Sequence, residues 1–103
     1  MIATLEEKCY ELYELCRKYH VRRLDVFGSA ATEARFDPEF SDLDFLVEFQ
    51  KSDEMNPADQ YFGLWDELKK LFGREVDLVT VKALRNPYFI KSVSATRRVL
   101  YAA

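Results

Sequence analysis

Asp42-Leu43-Asp44-Phe45-Leu46-Val47-Glu48-Phe49 is the stretch from which this chain is read. Two carboxylates, one residue apart, open an otherwise apolar run. In a strand, side chains two apart point to the same side. Asp42 and Asp44 therefore share one face, roughly 6–7 Å apart at Cα by strand rise. Leu43, Phe45, Val47 and Phe49 fall on the other. Aspartate is disfavoured in strands, and two anionic groups held this close repel each other. A hard divalent cation relieves the repulsion, because carboxylate oxygens are its preferred ligands. The bland alternative is a pair of solvated acids, or partners for Arg22, Arg23 or Arg35.

Upstream, Val21 to Phe27 reads as a strand that runs into Gly28-Ser29, with a short helix from Ala30 to Arg35. A strand that ends in Gly-Ser and opens a helix presents free N–H groups to an anion. Glycine allows close backbone approach, and the serine hydroxyl can donate to a phosphate oxygen. Alone, such a pair is more often an ordinary turn. Downstream, Glu75 to Val81 reads as a third strand carrying Asp77. If it neighbours the second strand, Asp77 joins the same acidic face, as a third metal ligand or as a general base toward a hydroxyl. Its alternative is an exposed acid on an alternating strand, and Glu75, on the same face, is its rival. Together the pieces read as a metal-dependent enzyme acting on a nucleotide.

The remaining pattern is helical. Ile2, Leu5, Cys9, Leu12, Cys16 and Tyr19 alternate in steps of three and four, which predicts one helix over Leu5 to Tyr19. Thr4 and Glu7 form a candidate capping box. Phe36 to Ser41 is a loop broken by Pro38. Asn56-Pro57 starts a helix that Gly73 ends, and Asn86-Pro87 starts a last one, to Thr96. Val99-Leu100-Tyr101 closes the chain as an extended piece. The expected class is α/β (α+β): residues 1–103 form a single domain, a small sheet of three to four strands flanked by helices.

Composition narrows the function. The 103 residues are 49% hydrophobic, with eight Phe, six Tyr and one Trp. That is enough for a core and too much for a disordered chain. A net charge of −3 argues against general nucleic-acid binding, which needs a concentrated basic surface. No apolar run reaches the ~18 residues of a membrane span, and no secretory signal opens the chain, so a cytoplasmic location is expected. Cys9 and Cys16 lie ~10.5 Å apart along the predicted helix, too far for a disulfide. They read as two buried thiols. His20 reads as a partner for the end of the first helix. Phe62 and Trp65 read as core, and Lys69, Lys70, Arg74, Arg97 and Arg98 as a solvated basic face. Arg35 reads as a surface salt-bridge partner and Asp25 as a rim residue. Tyr88, Phe89, Phe40 and Tyr101 could be surface anchors or buried.

In combination, Asp25-Val26-Phe27-Gly28-Ser29, then Ser41-Asp42-Leu43-Asp44-Phe45-Leu46-Val47, then Val76-Asp77-Leu78-Val79 resemble the minimal nucleotidyltransferases of the polymerase-beta superfamily. The match covers about Val21 to Val81. The spacer of twelve residues, Ala30 to Ser41, is longer than is usual there, which costs little in a loop. Ala30 stands where that family often has a basic or aromatic residue. The resemblance implies a polymerase-beta-like nucleotidyltransferase fold. It implies that Gly28 and Ser29 hold nucleotide phosphates, and that Asp42, Asp44 and Asp77 are catalytic and bind two Mg2+ ions. ATP would be the donor, and a nucleoside monophosphate would pass to a hydroxyl with release of pyrophosphate. Small members are commonly antitoxins of helical HEPN-type toxins, and some transfer AMP to a tyrosine of the toxin. The expected function is therefore a protein adenylyltransferase acting as antitoxin. The alternatives are a module that neutralises its partner by contact alone, and nucleotidyl transfer to a small molecule. Open sheet edges leave a homodimer or a hetero-oligomer equally open.

Overall fold

Four strands, β1 (Val21–Phe27), β2 (Leu43–Phe49), β3 (Val76–Thr80) and β4 (Arg98–Ala102), form one sheet in the order β3-β2-β1-β4. The structure is a computed structural model that describes residues 3–32 and 42–103. β1 is antiparallel to both β2 and β4, and β2 is parallel to β3. The terminal piece expected at Val99-Leu100-Tyr101 is thus a full edge strand. The predicted loop from Phe36 to Ser41, the end of the short helix after Thr32, and Ile2, Arg35 and Phe40 lie outside the described residues.

The helices are α1 (Ala3–Glu7), α2 (Cys9–Lys18), α3 (Ser29–Thr32), α4 (Pro57–Phe72) and α5 (Pro87–Thr96). The single first helix that the spacing predicts is two. Lys8 departs from helical dihedrals (φ −101°, ψ 12°), although Lys8 N–H still donates to Thr4 and Leu12 N–H to Lys8. Thr4 lies inside α1 and is not its cap. The caps of the later helices are local and strong. The Asn56 side chain accepts from Asp59 N–H at 2.8 Å, and Asn86 accepts from Tyr88 and Phe89 N–H. Gly73 closes α4 in the left-handed region (φ 62°), where glycine pays no steric cost.

α1, α2 and α4 cover one face of the sheet. Leu24, Val26, Leu43, Phe45, Val47, Val76 and Leu78 pack there against Leu5, Leu12, Cys16, Leu64, Leu68 and Phe72. α4 also guards the β3 edge: Trp65 Nε1 donates to Val76 O at 2.8 Å and Tyr61 Oη to Leu78 O at 2.6 Å. Covering an edge in this way removes a template for aggregation. The opposite face is covered only in part. There α5 and the segment before it place Val93 and Leu84 over Phe27, Leu46 and Val79. No described helix is long and apolar enough to cross a membrane.

Candidate active site

The half-covered face has a simple grid. Its first row is Phe27, Asp44 and Asp77, and its second is Asp25, Leu46 and Val79, because Phe27 pairs with Asp44, Asp25 with Leu46, and β3 runs in parallel register with Asp77 beside Asp44. α5 packs over Leu46 and Phe27 through Val93. Asp77 is exposed and Asp44 is half-buried. Asp42 immediately precedes β2. Burial first, then the charge of Asp77, then that of Asp42, push the Asp44 carboxyl from an ordinary 3.8 up to about 6. The structure thus brings Asp42, Asp44 and Asp77 within electrostatic reach of one another. Glu75, the rival of Asp77, faces Lys69 at 3.9 Å and is absent from the groups that perturb Asp44.

The turn after β1 closes the site. Gly28 adopts φ +73°, and a Cβ built on it would lie 2.8 Å from Asp44 Oδ2. Both facts require glycine: the dihedral is costly for any other residue, and the space is already taken by a carboxylate. Ser29, half-buried, opens α3 directly beside it. The Gly28 N–H is engaged, donating to Thr96 Oγ1 at 2.9 Å.

The donor set suits a hard cation of the magnesium class. It consists of carboxylates only, they repel one another, and one of them fills the cradle above Gly28. No group of three His, Cys, Asp or Glu among the described residues forms a ready-made metal cage. Magnesium is ordinarily held by one or two carboxylates with substrate phosphates completing the shell, so an open set is the form such a site takes.

Several expectations fail for identifiable reasons. Asp25 is not at a rim: it lies on an inner strand, fully buried. Arg23 Nε donates to its Oδ1 at 2.9 Å, and Arg97 Nε to its Oδ2 at 2.6 Å. Arg97 is therefore not a member of a solvated basic face. The same-face pair Arg23 and Asp25, two apart on a strand, was a readable signal for half of this cluster. Cys9 is exposed, whereas Cys16 is buried, and burial pushes its thiol up to about 12. Phe62 is 59% exposed, stacking edge-on against Tyr61 and Trp65 outside the core. His20 follows the Tyr19 cap of α2 with φ 55° and faces Glu54 at 3.5 Å. Lys69 lies over the Trp65 ring, and Lys70 pairs with Asp66. Tyr61 was not singled out from the sequence. Its hydroxyl pKa is raised by burial and by Asp77, which places it beside the acidic site.

Comparison with known proteins agrees with this architecture. Residues 11–100 match the profile of the nucleotidyltransferase domain family. Two Methanocaldococcus jannaschii proteins, provisionally named protein adenylyltransferases, are similar. One is 40% identical over 79 residues, covering 77% of this chain and 76% of its own. The other is 38% identical over 76 residues, covering 74% and 73%. A solved structure provisionally described as a minimal nucleotidyltransferase superposes with a TM-score of 0.73 at 29% identity, over 92% of this chain and 91% of its own. The fold also matches, at 17% identity and TM-score 0.64, a chain from the complex of a tri-AMPylated Shewanella oneidensis HEPN toxin with its MNT antitoxin, over 96% of this chain and 73% of that one.

Proposed function

Because the chain belongs to the nucleotidyltransferase domain family, in its minimal branch, we propose that it transfers AMP from ATP to a tyrosine hydroxyl of a HEPN-type toxin and thereby acts as its antitoxin. The observation that carries the proposal is the row Phe27, Asp44, Asp77 beside Gly28: two carboxylates side by side on parallel strands, with a glycine-serine turn against one of them.

In this reading Asp42, Asp44 and Asp77 would hold two Mg2+ ions, which would supply positive charge to offset that of the triphosphate. Ser29 donates its hydroxyl to a phosphate oxygen, in place of the basic residue that Ala30 does not provide. Asp77, the more exposed acid, takes the proton of the acceptor hydroxyl. The acceptor oxygen forms a bond to the α-phosphorus, the bond from that phosphorus to the bridging oxygen of the β-phosphate breaks, and pyrophosphate leaves. Desolvation beside Leu46 and Phe27 strengthens each charge interaction at the site.

A protein acceptor fits the surface around the site. Tyr88, Phe89 and Ile90, in the first turn of α5, are all exposed, and Phe89 packs edge-on against Phe27, one row-mate away from Asp44. Residues 78–103 contain no acid and, besides the Arg97 that grips Asp25, carry Lys82, Arg85, Lys91 and Arg98, in a chain whose net charge is negative. Aromatic anchors with a basic rim suit a protein surface of complementary charge.

The test is transfer of label from α-labelled ATP, with magnesium, to a candidate HEPN-class partner protein. Wild type is expected to label it, and Asp42→Asn/Asp44→Asn is not. Undiminished labelling by the double variant rejects the chemistry. Full neutralisation of the toxin by that variant favours the contact-only module, and labelling of an aminoglycoside without any protein favours the small-molecule reading.

A further inference from the structure

The Gly28 turn is held from a distance. Its N–H donates to Thr96 Oγ1, 68 residues away, at 2.9 Å. Thr96 is the last residue of α5, and its own hydroxyl donates to Ser92 O at 3.3 Å. One hydroxyl thus accepts from the turn and donates to the helix, which a hydroxyl can do and a methyl group cannot. The neighbouring Arg97 grips Asp25, and Phe89 packs against Phe27. α5 with its C-terminal flank therefore meets β1 at Asp25, at Phe27 and at the turn itself, and Thr96 is the contact that reaches the turn.

We propose that Thr96 is a positioning residue for the nucleotide-phosphate turn. By accepting the Gly28 amide it holds the left-handed backbone that brings Gly28 against the Asp44 carboxylate and opens α3 at Ser29. It also withdraws that amide from phosphate binding. Phosphate recognition at this turn then falls to Ser29, and α5 becomes part of the nucleotide site through its hold on the turn. This inference rests on the nucleotide reading of the turn.

Three proteins test it: wild type, Thr96→Ser, which keeps the hydroxyl, and Thr96→Val, which replaces it with a methyl of the same shape. The first measurement is hydrogen exchange of the Gly28 amide by NMR, without nucleotide or metal. Wild type and Thr96→Ser are expected to protect it, and Thr96→Val to exchange it at least about tenfold faster, the worth of about one hydrogen bond. The second is the Kd of AMP-PNP with magnesium by calorimetry. Thr96→Val is expected to bind about tenfold more weakly and Thr96→Ser within about twofold of wild type. An unprotected Gly28 amide in wild type, wild-type affinity in Thr96→Val, or a Thr96→Ser as weak as Thr96→Val each overturns the proposal. Should Thr96→Val fail to fold, wild-type exchange and the Thr96→Ser affinity decide. If wild type fails to bind AMP-PNP at all, the nucleotide reading and this role fall together, whereas loss of Gly28 protection alone overturns only this role.

Discussion

Replacing Asp44 with Asn should make the metal-free protein more stable while abolishing its transfer activity. Burial, Asp77 and Asp42 raise the Asp44 carboxyl from an ordinary 3.8 to about 6. Between those values the folded state binds a proton that the unfolded chain has released, so this group's contribution to stability falls as pH rises through the window. Above pH 6 the charged form is carried in full. The shift of roughly two units corresponds to ~3 kcal/mol at 1.36 kcal/mol per unit. Asp44 is only half-buried, and solvent screening reduces this to ~1–1.5 kcal/mol. Asn removes the charge with little change of shape. In chelator at pH 8, Asp44→Asn should therefore raise the midpoint of thermal unfolding by about 5–10 °C for a domain of this size. Near pH 4, where Asp44 is largely protonated in the wild type, the advantage should shrink to near zero. Magnesium with a nucleotide analogue should reverse the order at pH 8, because ligand that binds only the folded wild type stabilises it by mass action. Urea or thermal melts of both proteins at the two pH values measure all of this. A variant no more stable than wild type at pH 8, or one whose advantage is the same at pH 4, would refute the reasoning.

Three further substitutions probe the surroundings. Gly28→Ala places a Cβ 2.8 Å from Asp44 Oδ2 at φ +73°; a loss of ~1–3 kcal/mol in urea melts and of nucleotide binding is expected, and unchanged affinity would contradict the close approach. Asp25→Ala removes the buried acceptor of Arg23 and Arg97, which are themselves partly exposed, and should cost ~1–3 kcal/mol, read by the same melts. Gly63→Ala gains up to ~1 kcal/mol of helix propensity, but the new Cβ lies 2.4 Å from Tyr19 Cε1. Overpacking of ~1–3 kcal/mol should outweigh the gain, and displacement of the ring should break the Tyr19–Glu67 hydrogen bond, visible as a fall in the raised tyrosine pKa.

Those features that depend on local chemistry were readable from the chain. Asn-Pro marks the starts of α4 and α5 because cap and first-turn geometry are satisfied by the two residues themselves. β1 and β2 were readable because alternation reports one buried face. The break at Lys8 was not, since no residue there is a helix breaker and the i to i−4 hydrogen bonds continue across it. Nor was the exposure of Cys9 and Phe62. Helical spacing shows which residues share a stripe but not how far the neighbouring layer extends over it, and here the stripe is wider than its cover.

The same limit explains the site. Asp25, Asp44 and Asp77 are all strand aspartates on one face, and local pattern does not distinguish them. What separates them is the end of α5. Its C-terminal flank brings Arg97 to Asp25 from 72 residues away, and Val93 covers Leu46 in the same row. In the next row α5 covers Phe27 on β1, while Asp44 is half-buried and Asp77 exposed. Asp25, beneath the helix end, is paired, whereas Asp42, Asp44 and Asp77 have no ion-pair partner among the described residues, and the charges of Asp77 and Asp42 raise the proton affinity of Asp44. An unrelieved repulsion between carboxylates costs stability, and a bound hard cation would relieve it. The flank of α5 therefore separates the paired Asp25 from Asp44 and Asp77, the carboxylates proposed to bind metal.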